Sequence, residues 1–149
     1  MRSMSFFAAA GAACLCLSTP GFAQEEPQVV RQNLMKEIGR SVGAMGAIAK
    51  GEKPYDAAVV EQSLTTISTN IQAFPDQFPA GTESGHETEA LPAVWEKPDE
   101  FRAGAEKLHA EAQALLASMP ADQAGVGAAM QRLGPVCSDC HETFRVKKQ

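Results

Sequence analysis

The chain has 149 residues, with 13 Lys and Arg against 18 Asp and Glu, so its formal net charge is −5. This acidic balance argues against nucleic acid as a partner, because a phosphate backbone is bound by a surplus of basic side chains. No stretch approaches the ~20 consecutive apolar residues that a transmembrane helix requires. Only Cys137 and Cys140 lie beyond the first 23 residues, which is too few for a disulfide-stapled fold, so we expect a soluble protein stabilised by an apolar core.

The first 23 residues have the layout of a secretory signal peptide. Arg2 precedes an apolar run at 6–17, and the small-residue ending Gly21-Phe22-Ala23 follows. Cleavage after Ala23 would leave residues 24–149 as one small domain and remove two of the four cysteines. The alternative of a lipoprotein requires a cysteine behind a Leu-containing box, whereas Cys14 follows two alanines. We therefore expect an exported, periplasmic protein.

Two amphipathic patterns occupy the first half of the remaining chain, with apolar residues at alternating spacings of three and four. The first pattern predicts a helix from about Pro27 to Lys50, with proline suited to its first turn and Gly51 to its C-terminal stop. The second predicts a helix that begins at the N-cap Asp56 and ends at Pro75.

Two further patterns predict helices from about Pro98 to Met119 and from about Asp122 to Lys147. Segment 75–97 is rich in Gly, Pro, Ser, Thr and Glu and indicates one long loop. No strand pattern competes, so the predicted fold is all-α, an antiparallel four-helix bundle crossed by this loop. Gly134-Pro135 interrupts the last pattern and predicts either a kink or a separate short final helix.

The chemistry is concentrated in Cys137-Ser138-Asp139-Cys140-His141, which matches C-x-x-C-H, the attachment pattern for a c-type haem. Residues three apart lie on one face of a helix, so both thiols can form thioether bonds to one porphyrin. His141 follows the second thiol and can place its imidazole on the iron. The haem's apolar surface would be buried against the face that includes Phe144. Cys137 and Cys140 are the predicted attachment points, and His141 is the predicted proximal ligand.

Three other uses of these cysteines are possible on spacing alone. A structural zinc site needs four ligands, whereas residues 24–149 offer two cysteines and three histidines in distant segments. A thiol–disulfide oxidoreductase usually carries its C-x-x-C after a strand, and no strand is predicted here. A simple disulfide leaves His141 unexplained. A helical interaction module with an incidental motif is the remaining reading without haem.

The second axial ligand of the iron is not specified by spacing. The candidates are Met35, Met45, Met119, Met130, His86 and His109. A methionine on the first helix is favoured because that helix must face the haem in such a bundle, although any methionine taken alone is more simply core filler. The two histidines are more simply surface or interface residues.

These features resemble the class II cytochromes c, the cytochrome c′ family, over essentially the whole chain after the leader. The resemblance is carried by C-x-x-C-H near the C-terminus, by Phe144-Arg145 after the histidine, and by the run Lys50–Ala58 between the first two helices. It implies a left-handed four-helix bundle with one haem c per chain, and it puts Phe144 and Arg145 near that haem. It also suggests a homodimer formed through the first two helices.

Within this family the first helix separates two behaviours. Low-spin members of the cytochrome c-556 type place a methionine over the iron, and Leu34-Met35-Lys36 is similar to that branch. The resemblance thus implies Met35 as the distal iron ligand and a one-electron carrier that meets redox partner proteins and is not an enzyme. The alternative is a high-spin cytochrome c′ that binds NO or CO at an open site. Arg31 matches an arginine that lies near the haem in many high-spin members.

Overall fold

The computed structural model describes residues 25–147, and the expected leader at 1–23 lies outside them. The described chain forms α1 (Pro27–Ala49), α2 (Ala57–Ala73), α3 (Ala93–Glu96), α4 (Pro98–Ala117) and α5 (Gln123–Phe144), with a 3-10 helix at Phe74–Gln77. Its one β pairing within 25–147 is an isolated bridge between Ala90 and Arg145. The all-α prediction is confirmed. None of the helices in this range combines the length and the apolar character needed to cross a bilayer.

Local sequence signals set the ends of the long helices. Pro27 occupies the first turn of α1, where a missing N–H costs nothing. Gly51 follows that helix with a φ of 74°, in the left-handed region that glycine enters without a steric penalty. The Asp56 carboxylate caps α2 by accepting from two backbone N–H groups at 2.9 and 3.3 Å. Asp122 caps α5 by accepting from the Gly125 N–H at 2.8 Å.

The four long helices form a closed square with antiparallel neighbours. α1 packs against α2 and α5, and α4 packs against the same two helices. Phe101 at the start of α4 contacts Phe74 just beyond the end of α2, and it also contacts Phe144 at the end of α5. The start of α1, the end of α2, the start of α4 and the end of α5 therefore meet at one end of the bundle, which we call the motif end.

The core runs the length of the bundle between these helices. Burial of one such aliphatic side chain stabilises the fold by about 1.5–3 kcal/mol. The largest of the fully buried apolar side chains are Met45, Ile48, Val60, Leu64, Ile67, Val126 and Leu133.

Helix α5 continues through Pro135 to Phe144, so of the two alternatives expected at this proline the separate final helix does not form. Pro135 and Gln131 are both exposed, and the carbonyl that loses its partner N–H can bind water instead. The helix also stops before the expected Lys147, because Arg145 adopts an extended backbone that pairs with Ala90.

The crossing segment is more ordered than the long loop that its composition indicates. It contains the 3-10 helix at Phe74–Gln77 and the short helix α3. Its far end pairs with the chain just beyond α5, where the Leu91 N–H donates to the Phe144 carbonyl at 2.9 Å. In the opposite direction, the Val146 N–H beyond α5 donates to the Glu89 carbonyl of the segment at 2.8 Å. The segment is therefore fixed at the motif end.

Candidate functional site

The C-x-x-C-H residues lie in the last two turns of α5. Cys137 and Cys140 are free thiols, are half-buried, and pack against the core from the same side of the helix. Gly104 on α4 faces the second thiol, since a Cβ built there would lie 3.8 Å from the Cys140 Sγ. The missing side chain leaves room beside this sulfur. Both thiols thus lie against the core of the bundle, and Cys140 has room beside its sulfur.

Burial sets the protonation state of these groups. It raises the pKa of the Cys137 thiol, and it raises the pKa of Cys140, which the neighbouring Cys137 raises further. Burial also lowers the pKa of His141; the Arg145 cation adds to this, and Glu89 opposes it. His141 is therefore held in the neutral form, and neutral imidazole is the form that binds metals.

Met35 on α1 lies at the level of the cysteines. A hydrogen bond shows which residues of the antiparallel helices α1 and α5 lie level with each other. The Gln123 side-chain Nε2 donates to the Ala49 carbonyl at 3.4 Å, so Gln123 and Ala49 are level. Met35 lies fourteen positions before Ala49, and Cys137 lies fourteen positions after Gln123. Because both helices rise by about 1.5 Å per residue, Met35 and Cys137 lie opposite each other. Met35 is half-buried and packs against the same core as both thiols.

The other methionines lie farther from this level. Met45 is fully buried ten positions along α1 from Met35, which is about 15 Å along the helix axis. Met130 lies on α5 itself, nearly two turns before Cys137, and Met119 lies between α4 and α5 at the opposite end of the bundle.

The two candidate histidines have other surroundings. His86 is exposed on the crossing segment, with a φ of 48°. The His109 ring is occupied between α4 and α2, where its Nδ1 lies 3.0 Å from the Ser68 hydroxyl. His86 is thus exposed and the His109 ring is engaged with Ser68, whereas Met35 packs against the same core as the two thiols.

Phe144 belongs to an aromatic cluster that closes the motif end. Its ring centroid lies 5.2 Å from that of Phe101, and the Phe101 ring in turn lies 4.8 Å from the Phe78 ring. Phe74 and Trp95 complete the cluster. Phe144 lies three positions beyond His141, so this apolar cluster lies within about one helical turn of the motif. Arg145, the other residue expected near the haem, is half-buried at the end of α5.

Arg31 is directed into the crossing segment. It is 3% exposed, and its guanidinium donates to the Thr82 carbonyl at 2.8 Å and to the Thr82 hydroxyl at 3.2 Å. The same group lies 4.5 Å from the centroid of the Phe78 ring. Its expected position beside a haem stays a prediction, and its observed role is to hold this segment.

The residues present fit a covalently attached haem better than the alternatives. Within residues 25–147 no three His, Cys, Asp or Glu side chains come together as a metal cluster, so a zinc site has no support there. The two thiols are not joined to each other, and the motif follows helix rather than a strand. Free thiols on one helical face, a neutral imidazole next to them and an apolar wall are the groups that a thioether-linked haem requires.

Sequence reasoning missed the residues that bind the crossing segment to α1. Gln28 donates to the Ser84 carbonyl at 3.0 Å, and Gln32 donates to the His86 carbonyl at 2.6 Å. No local signal marks them, because their partners are more than fifty positions away and are mostly backbone carbonyls.

Comparisons with known proteins agree with this geometry. The family model described as Cytochrome C′ matches residues 26–145. A cytochrome c-556 from Agrobacterium fabrum is 53% identical over 135 residues, which cover 91% of this chain and 90% of the relative. A cytochrome c-556 from Agrobacterium tumefaciens is 58% identical over 118 residues, which cover 79% and 95%.

Among solved structures, cytochrome c′ from Rhodopseudomonas palustris superposes with a TM-score of 0.80 at 33% identity, covering 85% of this chain and all of that one. The superposition extends the similarity from the sequence to the arrangement of the helices. The chain therefore belongs to the cytochrome c′ family of four-helix bundles, whose members carry covalently bound haem c.

Proposed function

We propose that this protein is a periplasmic one-electron carrier with a single haem c, attached through Cys137 and Cys140 and ligated by His141 and Met35. The observation that carries the proposal is the shared level of Met35 and the C-x-x-C-H motif on facing helices. The two relatives called cytochrome c-556, at 53% and 58% identity, support the same branch of the family.

Four side chains would attach the haem and ligate its iron. The thiols of Cys137 and Cys140 would hold the porphyrin to the last turns of α5, and the half-buried imidazole of His141 would supply a neutral nitrogen. Met35 would supply a thioether sulfur from α1. When bound, the haem iron supplies a reversible one-electron couple. Because His141 and Met35 are on packed helices, they would keep their places in both oxidation states, so little rearrangement would accompany electron exchange.

The route to the periplasm and the docking mode are further parts of the proposal. Residues 1–23 would direct export and then be removed. Loss of Arg2 would make the charge one unit more negative than the −5 of the full chain. An acidic surface of this kind guides transient encounter with basic patches on redox partners, at rates that fall as salt rises. Homodimerisation through α1 and α2 is carried over from the family resemblance.

The first test is the mass of the exported protein made in a cell competent for cytochrome maturation. Covalent attachment predicts the mass of the cleaved chain plus one haem, retained after acid extraction. Replacing both cysteines, Cys137→Ala with Cys140→Ala, should abolish the added mass. A colourless product of bare peptide mass from the unmodified chain would refute the proposal and favour a haem-free interaction module.

The second test separates the electron carrier from a gas-binding protein. The reduced native protein should give a low-spin optical spectrum that does not change promptly when CO is added. Met35→Leu should convert it to a high-spin form that binds CO at once. Met130→Leu is the matched control, since Met130 is also half-buried but lies on α5, and it should leave the spectrum unchanged. Prompt CO or NO binding by the native protein would instead favour the high-spin alternative.

A further inference from the structure

We propose that Arg31 is a positioning residue. It fixes residues 77–91 of the crossing segment, which we call the strap, between α1 and the end of α5. The strap in turn keeps Met35 in place against the iron. The inference rests on the proposed function, because it concerns the stability of the Met35 ligation. It assigns to Arg31 a role that differs from a position beside an open gas-binding site.

The strap is attached to α1 mainly through one buried guanidinium. Arg31 donates to the carbonyl of Gln77, to the carbonyl and hydroxyl of Thr82, and to the hydroxyl of Thr88. Its planar face also covers the Phe78 ring, which adds a cation–π contact. A buried cation is tolerated only where its donors are satisfied, and here strap atoms accept all four of its recorded side-chain hydrogen bonds.

The strap needs such an anchor because two of its residues adopt backbone conformations that are unfavourable by themselves. His86 and Glu87 adopt φ values of 48° and 53°, in the left-handed region that side chains other than glycine rarely occupy. Gly81 and Gly85 also have positive φ. Conformations of this kind persist only where the surroundings impose them. Gln28 and Gln32, on either side of Arg31 along α1, bond the same stretch and complete the attachment.

The opposite end of the strap is attached to the helix that bears His141. The Leu91 N–H donates to the Phe144 carbonyl, and the Val146 N–H donates to the Glu89 carbonyl. Phe144 lies three positions beyond His141, within the same helical turn. The strap is thus hydrogen-bonded to α1 at Gln77, Thr82 and Thr88 and to the backbone around the end of α5 at Glu89 and Leu91.

The attachment point on α1 is one turn from the distal ligand. Arg31 and Met35 are four positions apart and therefore lie on the same side of the helix. If the strap is released, the first turns of α1 lose their bonds to the strap, and at the motif end they keep side-chain packing and the bonds that Asn70 on α2 donates to Leu34 and Glu37. The expected consequence is a larger fraction of molecules in which Met35 has left the iron.

The test compares Arg31→Gln with Arg40→Gln in the holoprotein. Arg40 is an exposed arginine on the same helix, so the pair makes an identical chemical change with and without the strap contacts. Arg31→Gln should accelerate CO binding to the reduced protein by about tenfold or more, which corresponds to the loss of charge-assisted hydrogen bonds. It should also accelerate amide hydrogen exchange at Leu91 and Val146, whereas Arg40→Gln should do neither.

Val126→Ala is the control that separates a general loss of stability from the loss of the strap. Val126 is fully buried on α5 in the half of the bundle away from the motif end, so its truncation weakens the fold without touching the strap. If Arg31 were merely structural, Val126→Ala would raise CO binding as much as Arg31→Gln at the same loss of unfolding free energy. If Arg31→Gln does not fold, Thr88→Val removes one acceptor of the guanidinium and should produce the same two changes to a smaller degree.

The outcomes distinguish this inference from the proposed function. If Met35→Leu raises CO binding and Arg31→Gln behaves like Arg40→Gln, the strap inference is overturned and the carrier proposal stands. If Met35→Leu has no effect on the spectrum, the Met35 ligation itself fails, whatever Arg31→Gln does to amide exchange.

Discussion

Phe101 is the centre of the aromatic cluster at the motif end, and its truncation is a stringent test of the packing. The side chain is 4% exposed, and its ring contacts those of Phe74, Phe78 and Phe144 at centroid distances of 5.9, 4.8 and 5.2 Å. Phe101→Ala therefore leaves a cavity between a 3-10 helix, the crossing segment, α4 and α5. Truncation of a buried phenylalanine costs about 3–5 kcal/mol.

The upper half of that range is expected here, because three aromatic pairs of about 0.5–1.5 kcal/mol each are lost together. A loss of ~4 kcal/mol is a large part of the 5–15 kcal/mol that stabilises a typical domain. With an m-value of about 2 kcal/mol per M, the urea midpoint followed by far-UV circular dichroism should fall by about 2 M.

Two control variants define the comparison. Phe101→Leu keeps most of the volume but loses the three ring contacts, so it should cost less than Phe101→Ala and more than a surface substitution. Val59→Ala changes a side chain that is 38% exposed and should cost below ~0.5 kcal/mol. A midpoint for Phe101→Ala within the error of the Val59→Ala midpoint would show that the cluster does not stabilise this end of the bundle, and the packing argument would be wrong.

Three further predictions concern the helix ends and the surface. Asp56→Ala removes the N-cap of α2 and should lower the unfolding free energy by about 1 kcal/mol, with Asp56→Asn recovering most of it in the same urea titration. Gly51→Ala should cost about 1–2 kcal/mol, because φ is 74° and the new Cβ would lie 3.0 Å from the Gln123 Nε2; a midpoint at or above that of the native protein would contradict this. Asp76→Ala breaks the exposed ion pair with Arg102 at 3.1 Å. In a thermal melt it should lower the unfolding free energy by less than ~1 kcal/mol, and by less still at high salt.

The sequence predicted the local structure and the chemical group well, because both depend on short-range patterns. Apolar residues three and four apart can share a buried face only in a helix, and Pro27 and Asp56 mark helix starts through their own backbone chemistry. The C-x-x-C-H motif is likewise recognised from five consecutive residues. The helices and the family assignment are confirmed, while the ligand roles of Cys137, Cys140, His141 and Met35 stay predictions.

The sequence was less informative where the outcome depends on solvent or on a distant partner. Pro135 predicts a kink or a break when the helix is considered alone, yet its exposed position lets water satisfy the freed carbonyl, and α5 continues to Phe144. The end of that helix is set by pairing with Ala90, which is remote in sequence.

The tertiary structure alone decided which side chains face one another. Spacing offered six candidates for the distal ligand, and among the four candidate methionines the antiparallel register of α1 and α5 places only Met35 level with Cys137. Arg31 is an ordinary cation in the sequence and a buried anchor of the crossing segment in the fold. The physical reason is that helix periodicity is encoded locally, whereas register and long-range hydrogen bonds exist only after the four helices have packed together.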